Sequence, residues 1–436
     1  MIGLTLVLLA ALVAFLAVQG KFTLRALRSF DDLRGDQVGG VPFQLISKEA
    51  QVALTEFSQE FNLALVQPGV EPWSRELGLY KASRALRTWF PVPVSAAGYT
   101  EFRGDLKYRE LFEKRIELIP KTWQDGVSEL AQIIEAPDFI GWQDQPNAMA
   151  RAAISLPNEL VQQQLEANPL CWDLGPFFAG STLTASGASN ATPIVVTTTV
   201  PHGLPTGATV TGSGFGTNTA ANATFTITVL TPTTFSLNSS VGNGATGAGV
   251  ITVVGHPFNV LDTTIGSFQN DFQGTGGATK PSLTNLETAK VSFRKIKAPN
   301  GKPLGLRMTH VLVPPAQEEL WRDLLEQDTI IQTAPLPTPN APVAGSFFGS
   351  VQNRHKGTVK LVVADELSND FNWYPLALGK PGMYPWIVQD EGAPEEILSD
   401  KTSDLYKRTL KVALGYILRG NAALALPHCV QRWAGT

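Results

Sequence analysis

The sequence predicts an α+β fold with an additional all-β domain, for three reasons. Helical and strand patterns alternate after residue 283, as in a compact layered domain. Between Asp173 and Asp262 there is no Asp, Glu, Lys or Arg, and β-branched runs are separated by Gly, Pro and Asn. A chain of 436 residues is also long enough for two or three domains.

The charge and the cysteine content of the chain limit the classes of protein to which it can belong. The chain has 34 basic and 38 acidic side chains, so its formal charge of −4 provides no global positive field for nucleic acid. Only 17% of residues are charged, which suits a chain buried in neighbours or one with an uncharged module. Cys171 and Cys429 lack metal-ligand spacing, and we expect two buried free thiols.

An apolar run from Ile2 to Val18 begins the sequence and approaches the roughly 17 residues of a membrane span. As a signal peptide it lacks a basic start, and residues 17–20 form a poor cleavage site. Two alternatives stay open, a membrane or export segment and a packed or mis-assigned N-terminal extension.

The N-terminal half contains two predicted helices around an extended region. Apolar residues at helical spacing predict a helix from Ser47 to Val66, and four prolines between 68 and 93 then favour extended chain. Mixed charges from Tyr99 to Lys121 fit an exposed hairpin or a solvated two-sided ribbon. A long, Pro-interrupted helical element is expected from Asp125 to Ala167, capped by Asp125 or Ser128.

The uncharged region is expected to fold as a small barrel or sandwich rather than stay disordered, because Phe215, Phe225 and Phe235 provide core anchors. Four runs are predicted strands, namely Ile194 to Val200, Ala208 to Val210, Thr224 to Leu230 and Thr234 to Leu237.

The C-terminal part alternates helices and strands. We predict helices at 283–295 and 316–327, and strands at 309–313 and 359–363. In the second helix four residues are expected to pack inward, Leu320, Trp321, Leu324 and Leu325. The tail from Leu410 to Trp433 predicts strands with a turn near residues 419–421.

No catalytic, cofactor or metal site is predicted. Phosphate-loop, zinc-hydrolase, nucleophile-elbow and dinucleotide motifs are missing from the sequence. The five histidines have no metal-ligand spacing: His202, His256, His310, His355 and His428. Adjacent carboxylates at 318–319 and 395–396 point to different faces, and the polar cluster 353–356 is interpreted as an exposed loop rather than a phosphate contact. We therefore expect no enzyme.

Four ordered stretches resemble the Mu-like family of phage major head subunits. They are 115–125 (RIELIPKTWQD) with 171–173 (CWD) and 177–178 (FF); 255–257 (GHP); the helix 283–295 with 300–306 (NGKPLGL) and 309–315 (THVLVPP); and 360–364 (KLVVA), 373–374 (WY), 385–389 (PWIVQ), 415–416 (GY), 419–423 (RGNAA) and Trp433. The resemblance covers roughly residues 98–180 and 256–436. The uncharged region divides the second stretch from the double Phe and looks like an insertion into a loop. It resembles the small β-modules of phage structural proteins, through 199–204, 221–225 and 233–237.

The resemblance implies a tailed-phage, HK97-like capsid fold. Its parts would be an apolar extension (1–40), an N-terminal arm (41–97), an extended loop (98–121), a spine helix with the first part of the core (122–180), an inserted all-β domain (181–255), and axial and peripheral domains (256–436). The apolar start departs from the family pattern.

The function that the resemblance implies is geometric. Many copies would form hexamers and pentamers of an icosahedral shell in the phage head, assembled in the host cytoplasm, with no membrane in the mature particle. Packaged double-stranded DNA would make weak, non-specific contacts, and portal, scaffold or decoration proteins are possible partners. The inserted domain is expected on the outer surface. The alternative is an exported or membrane-anchored surface protein with a β adhesion module.

Overall fold

The computed structural model describes residues 48–65, 72–92, 114–130, 145–244, 247–259, 263–273, 278–335, 346–392, 394–399 and 408–434. Its internal contacts divide the chain into two units. The larger one comprises Gln59–Gly126, Asp144–Ile397 and Gly415–Thr436. The smaller one comprises Met1–Ser58, Val127–Gln143 and Leu398–Leu414.

The described helices are α1 (Lys48–Leu65), α2 (Trp73–Leu77), α3 (Gln145–Ala167), α4 (Leu283–Lys295) and α5 (Glu318–Glu326). Helix α4 begins where sequence periodicity places it, because the Ser282 side chain accepts a hydrogen bond of 3.1 Å from the amide of Asn285. Helix α3 ends at Asn168, whose φ of 46° is the left-handed conformation that asparagine tolerates. Short 3-10 turns lie at Thr219–Ala221, Thr263–Ile265, Pro315–Gln317 and Pro427–Cys429.

The described strands before residue 256 are β1 (Leu79–Ala82), β2 (Thr88–Val92), β3 (Lys114–Leu118), β4 (Lys121–Leu130), β5 (Thr182–Ala188), β6 (Ile194–Thr198), β7 (Thr209–Ser213), β8 (Thr224–Thr231), β9 (Thr234–Leu237) and β10 (Gly249–Val253). Those after it are β11 (His256–Pro257), β12 (Ser267–Phe268), β13 (Asp271–Gln273), β14 (His310–Val313), β15 (Thr329–Pro335), β16 (Ser346–Gln352), β17 (Lys360–Val363), β18 (Asn372–Leu376), β19 (Trp386–Asp390), β20 (Glu395–Ser399), β21 (Lys411–Leu424) and β22 (Arg432–Ala434).

The uncharged region folds as a closed barrel in the order β10-β5-β6-β9-β8-β7, and the described pairings in it are antiparallel. The barrel prediction is therefore confirmed, although β5 and β10 lay outside the four predicted runs. Alternating side chains of β5 point into the barrel, where Leu183 and Ala185 are buried beside Ile251 of β10. Phe215 and Phe235 are also buried there, as expected of core anchors, whereas the third predicted anchor, Phe225, is only half-buried against this core.

A mixed five-stranded sheet contains β1-β19-β21-β20, with β4 also pairing β21. Strand β1 runs parallel to β19, which pairs antiparallel with residues 420–424 of β21. Every residue of β19 is buried, and Trp386 packs edge-on against Trp73 of α2 at 5.8 Å between ring centroids. Residues of α3 complete this core, with Val161 and Leu165 fully buried. Residues 73–82 thus pack within this core, and their assignment to an arm stays a prediction.

A second five-stranded sheet has the order β13-β22-β18-β14-β17. Helices α4 and α5 supply buried side chains to its core, including Phe293 and Trp321. The aromatic centre is a row of rings in which Trp373 lies 4.9 Å from Trp321 and 4.9 Å from Trp433, which stacks on Phe272 at 4.4 Å. The predicted helices and strands of this region are confirmed, but Leu320 is 53% exposed, so its predicted inward packing is wrong.

The predicted helix over Asp125–Leu130 is wrong, because these residues belong to strand β4. Gly126 weakens a helix, whereas pairing with β21 satisfies the backbone of an extended chain. Trp123 fixes this arrangement through a 2.9 Å hydrogen bond from Nε1 to the carbonyl of Gly420. The helical part of the prediction is confirmed only from Gln145 to Ala167, and Ile134 lies outside the described residues.

The predicted turn at residues 419–421 is also wrong, since β21 continues from Lys411 to Leu424 without a break. Gly420 pairs with Asp390, and a Cβ at this position would lie 3.1 Å from the Gln389 carbonyl oxygen. Glycine here permits close approach of two strands, and the sequence pattern Arg-Gly-Asn was mistaken for a turn.

Candidate assembly surfaces and the barrel junction

The barrel presents a surface of hydroxyl and amide groups. Its outer strand positions are largely threonine, and cross-strand hydroxyl pairs join Thr211 to Thr224 at 2.9 Å and Thr231 to Thr234 at 2.7 Å. Such pairs stabilise neighbouring strands modestly, and the hydroxyls stay hydrated. The surface therefore has no cationic group with which to hold a polyanion, and no acidic group that would repel one.

The chain enters and leaves the barrel side by side. The amide of Val253 donates to the carbonyl of Ser181 at 2.9 Å, so the two ends of the barrel segment meet. The flanking glycines both contact one short segment of the core. A Cβ at Gly180 would lie 2.7 Å from Cβ of Gln269, and a Cβ at Gly255 would lie 2.4 Å from the carbonyl oxygen of Phe268. Only glycine fits these two positions without displacing that segment.

Two buried asparagines connect this junction to the core. Asn168, at the end of α3, accepts from the Phe178 amide at 2.6 Å and donates to the Gly203 carbonyl at 2.8 Å. Asn270 accepts from the Ala179 amide and donates to the Phe177 carbonyl, both at 2.8 Å. These amide side chains replace backbone pairing where the chain passes between domains. They position the barrel without any interdomain disulfide.

A buried His–Asp pair closes the other side of the junction. His256 Nδ1 lies 2.7 Å from Asp173 Oδ2, and its Nε2 lies 2.9 Å from the carbonyl oxygen of Phe177. Because both neighbours are acceptors, the geometry fits a doubly protonated imidazole paired with a carboxylate. Burial alone would raise the pKa of Asp173, but the hydrogen bond and charge of His256 outweigh it and hold that pKa below its usual value.

A second buried ion pair lies beneath the barrel. Arg432 donates from Nε to Asp271 Oδ1 and from a terminal nitrogen to Oδ2, both at 2.9 Å, with side chains 5% and 0% exposed. Burial alone would lower the pKa of Arg432, but the charge and hydrogen bonds of Asp271 have the larger effect. The pKa of Arg432 is therefore raised above its usual value. The guanidinium also lies 5.0 Å above the ring of Phe178, and a Cβ at Gly203 would lie 3.0 Å from it. The pair thus contacts both the core, through Phe178, and the barrel loop that contains Gly203.

The other histidines have separate structural surroundings. His202 lies in the barrel, where Nδ1 accepts from the Leu204 amide and Nε2 meets the Thr231 carbonyl, each at 3.0 Å. Burial lowers its pKa and that of His310, and lowers the pKa of His428 to about 3. His355 contacts Lys290 at 3.1 Å and Glu287 at 3.3 Å. Within the residues that the structure describes, no group of histidine, cysteine and carboxylate side chains could hold a metal ion.

Both cysteines are free thiols, as predicted, but only Cys429 is fully buried, and Cys171 is half-buried. Burial raises the pKa of Cys171, and it raises the pKa of Cys429 to about 12, so neither forms a thiolate near neutral pH. Among the tryptophans, Trp386 and Trp433 are buried within the subunit, and Trp123 is half-buried.

A surface depression of about 310 Å³ contains two charged side chains, Glu76 and Lys380. Glu76 pairs with Lys360, and the Lys380 ammonium donates to the Leu304 carbonyl. The polar cluster 353–356 is similarly engaged, since Asn353 is buried against the Leu324 carbonyl and Lys356 pairs with Asp328. Neither place combines a nucleophile with a base.

Two antiparallel ribbons are candidates for contact with other molecules. Strands β2 and β3 pair over five residues, and Phe90 and Leu118 anchor them in a small core with Ile387. The connection between these strands lies outside the described residues. Strands β15 and β16 pair over seven residues and form a two-stranded sheet by themselves. An isolated two-stranded ribbon is marginally stable in water, so such ribbons usually need a packing partner.

The sequence predicted the barrel but not its junction. Asn168 and Asn270 carried no spacing signal, because their partners are backbone groups distant in the chain. Asp173 and His256 stood at the two edges of the uncharged region, in stretches already noted for their family resemblance. The only sequence signal for their contact was that both residues lie near the borders of the uncharged insert.

Among the described helices, none is long and apolar enough to cross a membrane.

No curated protein matches this sequence. Among solved structures, the bacteriophage JBD30 capsid shares 14% identity over 70% of this chain and 94% of its own, with a TM-score of 0.38. The structure of Mycobacterium phage Patience shares 9% identity over 90% of this chain and 89% of its own, with a TM-score of 0.36. The capsid of the empty GTA particle shares 8% identity over 92% of this chain and 95% of its own, with a TM-score of 0.39. At these values the structural likenesses carry no argument. Residues 235–425, from β9 to the end of β21, match the model of the phage capsid protein family.

Proposed function

We propose that this chain is the major capsid subunit of a tailed phage, of the Mu-like type, and that many copies form the icosahedral head shell around DNA. The match of residues 235–425 to the phage capsid protein family carries this proposal. That segment contains most of both five-stranded sheets and both helices of the second core. In the virion the subunit would act through shape and packing rather than through a reactive site.

We propose that subunit contacts use the two ribbons. Among the described residues neither ribbon has a third strand, so the outer edges of each ribbon have no strand partner there. Lys81 and Arg115 cover aromatic rings of β2, with Arg115 3.9 Å above Trp89, and Arg87 pairs with Glu117 across the ribbon at 2.6 Å. Exposed pairs of this kind contribute more to register and partner choice than to affinity. Neighbouring copies, arranged as hexamers and pentamers, would supply the missing partners.

We further propose that the barrel is an inserted domain displayed on the outer surface. Its two ends meet at Ser181 and Val253, and Asp173 and His256 contact each other as they would in a shorter loop. Insertions succeed where both ends of a segment lie together at a surface loop. The family match begins at Phe235, inside β9, so the insertion rests on this geometry rather than on the match. A surface without cations is suited to solvent rather than to packaged DNA.

The test of the capsid proposal is assembly of the full-length protein. We expect recombinant chain, purified without detergent, to form closed shells or rings of five and six subunits in negative-stain electron microscopy. A chain that stays a monodisperse monomer and is soluble only when detergent is added, or one that is secreted with loss of the N-terminus, would contradict the proposal and favour a surface protein instead.

Deletion of the barrel gives a sharper prediction. A variant in which residues 181–254 are removed and Gly180 is joined directly to Gly255 is expected to assemble like the full-length chain. The junction glycines already lie against Phe268 and Gln269, so little rearrangement is needed. Shell formation and sedimentation would be measured.

The matched control removes helix α4, residues 283–295, which supplies Leu286, Ala289 and Phe293 to the second core. This control is expected to yield insoluble protein. If the barrel deletion aggregated in the same way, the barrel would be part of the core and not an insertion.

A further inference from the structure

Positive charge is concentrated in one segment of this acidic protein. Residues 280–307 hold seven Lys or Arg side chains and a single carboxylate, Glu287, which gives a formal charge of +6. The whole chain has a formal charge of −4. The segment follows the charge-free barrel region, so its positive charge is a local feature and does not reflect the composition of the whole chain.

The cations surround one tight turn that follows helix α4. The amide of Ala298 donates to the Lys302 carbonyl at 2.7 Å, and the amide of Leu304 donates to the Ile296 carbonyl at 2.8 Å. Ile296 and Ala298 are buried and anchor the turn. We call residues 294–307 the basic turn. Its cations, all exposed, are Arg294, Lys295, Lys297, Lys302 and Arg307.

A sixth cation reaches the same place from a different part of the chain. The Lys380 ammonium donates to the carbonyl of Leu304, and a Cβ at Gly305 would lie 3.6 Å from it. The fold therefore brings a sixth positive charge to the turn from a residue that is distant in the sequence.

Within the part of the chain that the structure describes, these cations have no anionic partners. Among the residues described, none of the five cations of the basic turn forms an ion pair, whereas Lys356 and Lys360 pair with carboxylates nearby. Arg294 and Lys295 occupy the last turn of α4, where cations stabilise the negative end of the helix dipole. That role does not extend to Lys297, Lys302 or Arg307, which lie beyond the helix.

We propose that the basic turn is a binding surface for the phosphate backbone of double-stranded DNA, without sequence preference. This inference rests on the capsid function proposed above and names the surface of the subunit that contacts the packaged polyanion. Lys and Arg side chains on a rigid turn are the groups that neutralise DNA phosphates. Contacts between protein subunits are less suited to this surface, because lysine is depleted at protein interfaces.

The test compares DNA binding by the full-length chain and by a triple variant, Lys295→Gln with Lys297→Gln and Lys302→Gln. Anisotropy of a labelled duplex of about 25 base pairs would be followed from about 50 to 200 mM NaCl. We expect the slope of log K against log salt to become shallower by about 2 to 3, and binding near 0.1 M salt to weaken roughly tenfold or more. Two duplexes of unrelated sequence should behave alike.

The control variant removes the same charge from exposed positions elsewhere, Arg84→Gln with Lys121→Gln and Arg151→Gln. It is expected to keep most of the binding and of the salt slope. An unchanged slope in the triple variant, or an equal loss in the control, would overturn the proposal.

Electron microscopy of both variants separates this inference from the capsid proposal. Shells formed by the triple variant, combined with weakened DNA binding, support the DNA surface. Failure of the triple variant to assemble while it still binds DNA would overturn it and indicate an acidic surface of a second copy as the partner. If the unmodified chain formed no shells, the capsid proposal would fail, whereas the comparison of salt slopes would still decide whether the turn binds DNA.

Discussion

Replacement of Asp271 by asparagine is expected to destabilise the fold by about 3 to 5 kcal/mol, because it leaves the guanidinium of Arg432 buried without its counter-charge. The two side chains are 0% and 5% exposed, and the pair is bidentate. The arginine cannot lose its proton to escape this cost. Its ring contact with Phe178 continues to hold it in place beneath the barrel.

Denaturant unfolding followed by tryptophan fluorescence is the measurement. Residues 182–253 contain no tryptophan, so the signal reports the rest of the chain and excludes the barrel. The matched control is Asp365→Asn at an exposed position, which should change the unfolding free energy by less than about 0.5 kcal/mol. A loss below about 1 kcal/mol for Asp271→Asn would show that water or a rearranged side chain compensates the arginine.

Replacement of Trp373 by alanine is expected to cost about 3 to 5 kcal/mol through the cavity that it leaves. The indole is fully buried between Trp321 and Trp433, with both centroids at 4.9 Å. Its Nε1 also donates to the Thr279 carbonyl at 2.8 Å, which the alanine variant leaves without that donor. Both effects act in the same direction.

Chemical denaturation followed by far-UV circular dichroism would measure this loss, since the substitution removes a fluorophore. Trp89→Ala is the control, because Trp89 is 41% exposed and lies in the β2–β3 ribbon. Its effect should be much smaller in the isolated subunit. Equal losses for the two variants would mean that the aromatic row does not determine the stability of this core.

Elements whose pattern is local could be predicted from the sequence. Helix α4 has a serine cap, a buried stripe and a basic last turn, and its predicted bounds agree with the structure. Strand β9 was also predicted with its observed bounds, since β-branched and aromatic residues follow a Pro-Thr turn. The β-branched runs of the uncharged region predicted a small barrel or a sandwich, and the structure shows a closed barrel.

Features that depend on distant partners were mistaken or missed. Strand β4 contains residues that also fit a helical pattern, and its pairing with β21 decides the outcome. Gly420 resembles a turn residue until Asp390 is placed opposite it. The asparagines at the barrel junction bond to backbone carbonyls and amides, which have no sequence identity to detect.

The pairing of the strands has a consequence for synthesis of the chain. Every pairing of the barrel lies within residues 182–253, so the barrel can close once that stretch has left the ribosome. Strand β1, in contrast, cannot pair until β19 has been synthesised. The carbonyl of Ser74 likewise has no indole donor until Trp386, 312 residues later, has been added to the chain. The barrel can therefore be folded while the remaining subunit is still incomplete. Its neutral, hydroxyl-rich surface then accompanies an unfinished core that has exposed strand edges.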